Sequence, residues 1–121
     1  MIAIILFPSF FLDKKPIFHN GGKDGFCQWL ISNLEPIKAQ LSGTRHRVLI
    51  TFIVDNTGKV VNPEIRLGFS EMTNRMICNI LQESSPWSPG ELNGNTIDSR
   101  VSILVNINDD GTIMDINMIG Y

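Results

Sequence analysis

The sequence has few of the residues from which most metal and nucleophile sites are built. Only 2 cysteines and 2 histidines occur in 121 residues, and Cys27, Cys78, His19 and His46 share neither a C-x-x-C nor an H-x-x-x-H spacing. Zinc sites usually draw ligands from such closely spaced pairs, so we expect no metal. A Cys–His nucleophile pair needs the base within hydrogen-bond reach of the thiol, and only Cys27 and His19 are near each other along the chain. We therefore expect no enzyme and no cofactor. One disulfide between the two cysteines is the alternative in an oxidising compartment, but we favour two separate, reduced thiols.

The sequence also has no large excess of positive or negative charge. Charged residues make up 18% of the chain, the net charge is −2, and no run of Lys or Arg alternates with aromatic residues. A nucleic-acid-binding surface requires clustered cations, so we expect no nucleic-acid partner. The glycine-rich stretch at 19–25 lacks the spacing of a phosphate-binding loop, and a turn that opens a helix is the simpler interpretation. With 43% hydrophobic residues, the chain is long enough for one globular domain with a modest core.

A long hydrophobic run occurs only at the N-terminus. Residues 1–12 are MIAIILFPSFFL, which is too short for a transmembrane helix of about 20 residues but suits the apolar region of a signal peptide. The cationic start and the small-residue cleavage site of a signal peptide are missing, and a core strand over IAIILF is the alternative. We interpret residues 1–14 as a signal-peptide-like apolar segment and residues 15–121 as one domain.

Hydrophobic periodicity in the first half of the domain predicts a helix and a β-hairpin. Apolar residues recur at helical spacing over 23–34, and Pro36 should end this helix because the residue before a proline avoids helical geometry. Strict alternation over 48–54 predicts a strand, followed by a turn in which Gly58 is free to adopt a positive φ. The return strand contains Pro63, which requires an edge position or a bulge. The apolar face of this strand is assigned to Val61, Ile65, Leu67 and Phe69.

The second half of the domain repeats this pattern. Ser70 is a favourable N-cap for a helix that ends near Glu83. The apolar face of this helix is assigned to Met72, Met76, Ile77 and Ile80. A strand with alternating apolar residues ends at Ile107, the turn NDDG follows, and residues 112–119 make a final strand. The order α-β-β-α-β-β predicts an α+β domain, with an antiparallel sheet of three to four strands and two helices packed on one face.

A tryptophan between two prolines occurs in the connection after the second helix. In SSPWSPGELNG, residues 84–94, Pro86 and Pro89 stiffen the chain and reduce the entropy lost on ordering it. Trp87 either fills the core beneath this connection or forms a partner-binding platform, since tryptophan is enriched at binding hot spots. We favour the core interpretation.

Several stretches of the chain together resemble a known family. They are KPIFHNGG (15–22), FCQWLISNLEPIKA (26–39), VLITFIVDNTGKVVNPEI (48–65), PWSPGELNG (86–94) and VSILVNI (101–107). Their order and spacing are similar to the TonB C-terminal domain, in the form common in Bacteroidetes-type TonB-like proteins. The resemblance implies structural roles for Trp29, Pro36, Gly58, Trp87, Pro89 and Gly90. Trp87 would pack beneath the crossing, and Pro89 and Gly90 would turn the chain toward the third strand.

The resemblance implies a mechanical function rather than a catalytic one. TonB-type domains act in the periplasm in energy-dependent transport, where they bind a short extended segment of an outer-membrane receptor, the TonB box. An exposed strand edge offers unpaired backbone groups to which such a peptide adds as a further strand. The matching edge in this chain consists of Val101, Ser102, Ile103, Leu104, Val105, Asn106 and Ile107. We therefore expect a periplasmic protein, exported or loosely membrane-associated, whose partner is a TonB-dependent receptor.

The C-terminal tail departs most from the family pattern. Residues 112–119 should fold back beside 101–107, at the edge that a TonB box would use, because a tight turn keeps the closure entropy small. Three hypotheses follow. In the first, the tail is displaced or swapped when a partner arrives. In the second, the domain is structural or forms a homodimer by strand exchange, with its edge self-capped. In the third, it is a small cysteine-dependent enzyme.

Overall fold

The computed structural model describes residues 7–8, 12–43 and 46–119. The strands in chain order are β1 (Phe7–Pro8), β2 (Ile17–Phe18), β3 (His46–Val54), β4 (Val60–Leu67), β5 (Trp87–Ser88), β6 (Gly90–Leu92), β7 (Asn95–Ile97), β8 (Ser99–Ile107) and β9 (Ile113–Ile119). The helical elements are α1 (Gly22–Leu34), a 3₁₀ turn (Glu35–Ile37), α2 (Lys38–Leu41) and α3 (Glu71–Gln82). Most of the predicted signal-peptide-like segment lies outside the described residues.

A five-stranded sheet forms the body of the domain. β3 lies between β4 and β8 and pairs antiparallel with both. β8 pairs antiparallel with β9 along residues 102–107 of its other edge, and the two residues of β1 pair in parallel with the first two residues of β8. The predicted α+β fold with an antiparallel sheet is confirmed, and β1 extends the sheet beyond the three to four predicted strands.

The two long central strands bury every second side chain. The buried residues are Val48, Ile50, Phe52 and Val54 of β3 and Val101, Ile103, Val105 and Ile107 of β8. The helices α1 and α3 pack on this face, each with one apolar stripe. These stripes contain Phe26, Leu30, Leu34, Ile77 and Leu81. Leu49 and Leu104, which point to the opposite face, stay half-exposed, so the core lies on one side of the sheet.

The predicted end of the first helix is confirmed, because α1 stops at Leu34, before Pro36, but the chain stays helical in new elements after it. It continues through the 3₁₀ turn into α2. Pro36 stands at the start of the new turn, where no backbone N–H is needed and the fixed φ of proline suits a helix. The continuation brings Ile37 and Leu41 into the core, with 7% and 0% of their surface exposed.

β4 is an edge strand with irregular pairing. Ile53 lies opposite Val61 while Thr51 lies opposite Glu64, so β4 uses one residue more than β3 over the same stretch. A second shift of this kind occurs nearer the start of β3. Each extra residue moves the side chains that follow it to the opposite face of the sheet. The expectation that Pro63 occupies an edge or a bulge is confirmed, since it lies in a bulged edge strand.

The predicted apolar faces of β4 and α3 are right only in part: Ile77 is buried, and the partly buried residues that pack against the core are Ile65, Phe69, Met76 and Ile80. Val60 is buried but Leu67 is 58% exposed, so Val61, Ile65, Leu67 and Phe69 do not share a buried face. In α3, Met72 is 75% exposed, and the buried stripe with i, i+4 spacing is Thr73, Ile77 and Leu81. The N-cap is confirmed, because the Ser70 hydroxyl oxygen accepts the Thr73 N–H at 3.3 Å.

A short hairpin follows Trp87, where only a stiff connection was expected. β6 pairs with β7 across Asn93 and Gly94, whose φ angles are 53° and 80°. An Asn-Gly pair with two positive φ angles is a preferred two-residue hairpin turn, so the signal was present in the sequence. β5 pairs with β2, which places Trp87 opposite Phe18. Backbone pairing therefore holds this connection in addition to its prolines.

Candidate protein-binding edge

Residues 101–107, the candidate binding edge, lie inside the sheet rather than at its border. On one side β8 pairs with β3 along its whole length. On the other side β9 pairs with residues 102–107, and β1 pairs with the two residues that begin β8. The predicted fold-back of the C-terminal tail is confirmed. The edge that a TonB box would use is therefore occupied by the chain itself.

The side chains of the candidate edge alternate between the core and the opposite face. Those that point into the core are at most 1% exposed, and they are Val101, Ile103, Val105 and Ile107. Ser102, Leu104 and Asn106 point to the other face and are half-exposed. A strand added to this edge would gain affinity from backbone pairing, and the side chains on its two faces would supply specificity.

A tight turn joins β8 to β9 and contacts α2. The Asn108 N–H donates to the Thr112 carbonyl at 2.8 Å, and the Gly111 N–H donates to the Asn108 carbonyl at 2.9 Å. Gly111 has a φ of 87°, and a Cβ at this position would lie 2.2 Å from the Lys38 carbonyl oxygen. Asp110 Oδ1 accepts hydrogen bonds from the Thr112 hydroxyl and N–H at 2.6 and 2.9 Å, and these bonds lower the pKa of the Asp110 carboxyl. The turn therefore fixes where β9 begins.

β9 contributes apolar side chains to the core. Met118 lies opposite Ile103 and is 8% exposed. Ile113 and Ile116 are partly buried against the same core. Release of β9 would therefore expose apolar surface as well as backbone groups.

Trp87 lies in the core, in agreement with the core interpretation. It is 3% exposed, and its ring centroid lies 4.9 Å from that of Phe26 and 5.6 Å from that of Phe52. The indole N–H donates to the Ser84 hydroxyl oxygen at 3.0 Å, and the Ser84 hydroxyl donates to the Leu81 carbonyl at 2.7 Å. The polar group of the ring is thus satisfied inside the protein, and the side chain is not an exposed platform.

The neighbouring motif residues support the same packing. The Trp87 N–H donates to the Gly58 carbonyl at 2.7 Å. Gly58 has a φ of 89°, and a Cβ on it would lie 2.0 Å from the Trp87 carbonyl oxygen. A Cβ on Gly90 would lie 2.3 Å from the hydroxyl of the residue that begins β8. Pro89 and Gly90 lead first into the β6–β7 hairpin and only then to β8, and Trp29 packs partly buried against the core.

The cysteines are free thiols without the lowered pKa of an activated nucleophile. Burial raises the pKa of the Cys27 thiol, with a smaller contribution from Asp24, and burial also raises the pKa of the Cys78 thiol. The Cys78 thiol donates to the Pro63 carbonyl at 3.6 Å. His19 Nδ1 lies 2.9 Å from a backbone carbonyl of the connection after α3. Within the described residues, no group of three or more His, Cys, Asp and Glu side chains could hold a metal ion.

No helix among the described residues is long and apolar enough to cross a membrane. Comparison with protein-family models, with curated proteins and with solved structures found no match. The likeness to the TonB C-terminal domain therefore depends on the sequence motifs, and the function that it implies remains a proposal.

Proposed function

We propose that the protein is a non-catalytic, periplasmic binding module of the TonB C-terminal type, whose partner is a short extended segment of an outer-membrane receptor. The observation that carries this proposal is that short or peripheral strands, and not the core strands, border the far edge of β8. Strands β4, β3 and β8 form one core with the helices, and the far edge of β8 is bordered by β1 and β9, which come from the two ends of the described chain. Among the described strands β9 pairs with β8 alone, so it can leave its place without separating the helices from β3 and β8.

A bound peptide would replace the contacts that β9 makes. β9 pairs with six residues of β8, and an extended peptide in its place would satisfy the same backbone groups by strand addition. Every second side chain of the peptide would point toward the core, as Met118 does now. The site therefore favours an extended segment with an apolar side chain at alternate positions.

The fold-back of β9 weakens the proposed interaction. β9 is joined to β8 by a tight turn and acts as an intramolecular competitor at high effective concentration. Only the fraction of molecules with β9 released can bind, and the measured dissociation constant is the intrinsic constant divided by that fraction. The proposal thus predicts weak binding that strengthens when β9 is destabilised.

An amide NMR titration of the full chain with a synthetic receptor peptide that carries a TonB box tests this proposal. The matched control is the same peptide with a central proline, which removes a backbone donor and disrupts a strand ladder. We expect shifts at residues 101–107 and loss of the contact between Met118 and Ile103 with the first peptide only. Shifts with an intact Met118–Ile103 contact would refute the displacement of β9, and equal shifts with both peptides would refute strand addition.

A structural domain with a self-capped edge is the second candidate. The burial of Met118 and the close approach of Gly111 to Lys38 favour it, because both hold β9 in the fold. The absence of shifts at a large peptide excess, together with slow hydrogen exchange of the 113–119 amides, would favour this candidate.

A further inference from the structure

Apart from the two-residue β1, the described sheet ends in two strand edges of different character. The outer edge of β4 is interrupted, because Pro63 lacks an N–H, Asn62 has a φ of 50°, and the Cys78 thiol donates to the Pro63 carbonyl. Glu64 and Arg66 form an exposed ion pair at 2.9 Å along the same strand. Proline, bulges and charged side chains are the features by which natural edge strands avoid pairing with other chains. The β4 edge is thus protected.

The outer edge of β9 lacks this protection. No described strand pairs with it. Its seven residues include no Pro, Gly, Lys or Arg, and Asp115 carries its only charge. After one shift near the turn, the register with β8 is continuous from Asp115 to Ile119. A regular, unprotected edge of this kind is a template for another strand.

The side chains along β9 also favour an added strand. Met114 and Ile119 are 46% and 51% exposed. Ile113 and Ile116 lie partly buried at the margin of the core. A strand placed beside β9 would remove this apolar surface from water, which is the dominant favourable term in protein association.

We propose that the outer edge of β9 pairs with β9 of a second copy of the chain, antiparallel and about a two-fold axis at Asn117. All five residues from 115 to 119 then pair without crossing the irregularity near the turn. Ile116 lies opposite Met118 of the other copy, and Asp115 lies opposite Ile119. The two Asn117 side chains meet on the axis, where each amide offers the other a donor and an acceptor. The interface is self-complementary, as two-fold symmetry requires.

The single charge of β9 helps to select this register. An axis at Asp115 would place two carboxylates directly opposite each other, and like charges in that position destabilise strand pairs. An axis at Asn117 separates them by the length of the paired segment. A second copy therefore fits this edge with the two Asp115 carboxylates kept apart.

This inference is independent of the receptor proposal, because it requires β9 in place. A dimer of this kind holds β9 against β8 and opposes its displacement. A positive result for the dimer and a negative result for the peptide are thus separate outcomes.

Charge substitutions at Asn117 test the geometry. Asn117→Asp and Asn117→Lys each place like charges opposite one another in a homodimer, whereas their equimolar mixture allows a heterodimer with opposite charges. Asn117 is exposed, and its amide donates to Asp115 Oδ1 of the same strand at 3.2 Å, so thermal unfolding of both variants verifies that loss of this bond leaves the fold intact. By sedimentation equilibrium we expect the unsubstituted chain to dimerise, each variant to dimerise about fivefold more weakly, and the mixture to regain at least the original affinity.

Two results would overturn the proposal. The first is an unsubstituted chain that stays monomeric at concentrations up to about 1 mM. The second is a dimer whose strength is the same in both variants and in their mixture. That dimer would use another surface or would exchange β9 between copies, in which case Asn117 would face Leu104 as it does within one chain.

Discussion

Replacement of Met118 by alanine should strengthen the binding of a receptor peptide while it destabilises the protein. Met118 is the buried side chain of β9, 8% exposed and opposite Ile103. Truncation of a core methionine to alanine costs about 2–5 kcal/mol, and we take about 2 kcal/mol for a strand at the sheet edge. When β9 is released, residue 118 is in water in either variant. The lost packing therefore destabilises only the closed state.

The size of the effect on binding follows from this difference. A change of about 2 kcal/mol shifts the equilibrium between closed and released β9 by about 30-fold, since each 1.4 kcal/mol is tenfold. While the released fraction is small, the apparent dissociation constant of the peptide falls by the same factor. Binding that leaves β9 in place would not change in this way.

Fluorescence anisotropy with a labelled TonB-box peptide measures the affinity, and denaturant unfolding measures the stability. The matched control is Met72→Ala, because Met72 is 75% exposed on α3 and loses the same atoms without lost packing. We expect the control to change stability by less than about 0.5 kcal/mol and to leave affinity unchanged. A Met118→Ala protein that is destabilised but binds no more tightly than the control would refute the displacement of β9.

Three further predictions concern the packing and the turn that support the site. Gly58→Ala should destabilise the protein more than Gly94→Ala in thermal unfolding. Both positions have positive φ, but only at Gly58 would the Cβ meet the Trp87 carbonyl oxygen, at 2.0 Å. We expect about 1 kcal/mol for Gly94 and about 3 kcal/mol or more for Gly58, and equal losses would contradict this. Ser84→Ala should cost about 1–3 kcal/mol in denaturant unfolding, because the buried Trp87 indole N–H loses its acceptor. A negligible loss would show that this hydrogen bond does not stabilise the fold. Asp110→Asn should flatten the loss of stability in acid. The folded-state pKa of Asp110 is lowered, so its contribution is present above the unfolded value of about 3.9 and is lost as pH falls through the folded value. Unfolding measured from about pH 5 to about pH 2 checks this, and an unchanged profile would argue against it.

The two proposals act on β9 in opposite directions. Receptor binding requires β9 to leave β8, whereas the edge-paired dimer requires it to stay. A ligand shifts an equilibrium toward the state that it binds better. The dimer would therefore lower the affinity for a receptor peptide, and protein concentration would regulate the proposed module.

Local patterns in the sequence were sufficient to predict the central strands and the turns that follow them. β3 and β8 are regular strands, so the period of two alone assigns each side chain to the core or to the opposite face. The turns that contain Gly58 and Gly111 were predicted from their residues, and both glycines have positive φ. The return of β9 along β8 was also predictable, because a tight turn leaves the next strand little choice of neighbour.

Where the structure differs from the sequence-based predictions, contacts between residues far apart in the sequence are the cause. Leu67 is exposed because a register shift between Ile65 and Leu67 places these two side chains on opposite faces, and such shifts depend on which residues of β3 lie opposite. The first helix ends before Pro36 as predicted, but the 3₁₀ turn and α2 that follow were not expected, and they let Ile37 and Leu41 enter the core. Met72 is exposed because the stripe of α3 that faces the sheet is offset by one residue. A local pattern sets the period of an element, but its offset and its end depend on the surface against which it packs.

The same division applies to the candidate site. The sequence by itself identified residues 101–107 as a strand and the tail as its neighbour, because alternation and turn residues act within a few positions of the chain. Only the tertiary structure showed that β1 pairs with the start of β8 and that β9, rather than β8, presents a free strand edge on that side of the sheet. Which edge stays open depends on how strands that are far apart in sequence are arranged side by side, and no local pattern contains that information.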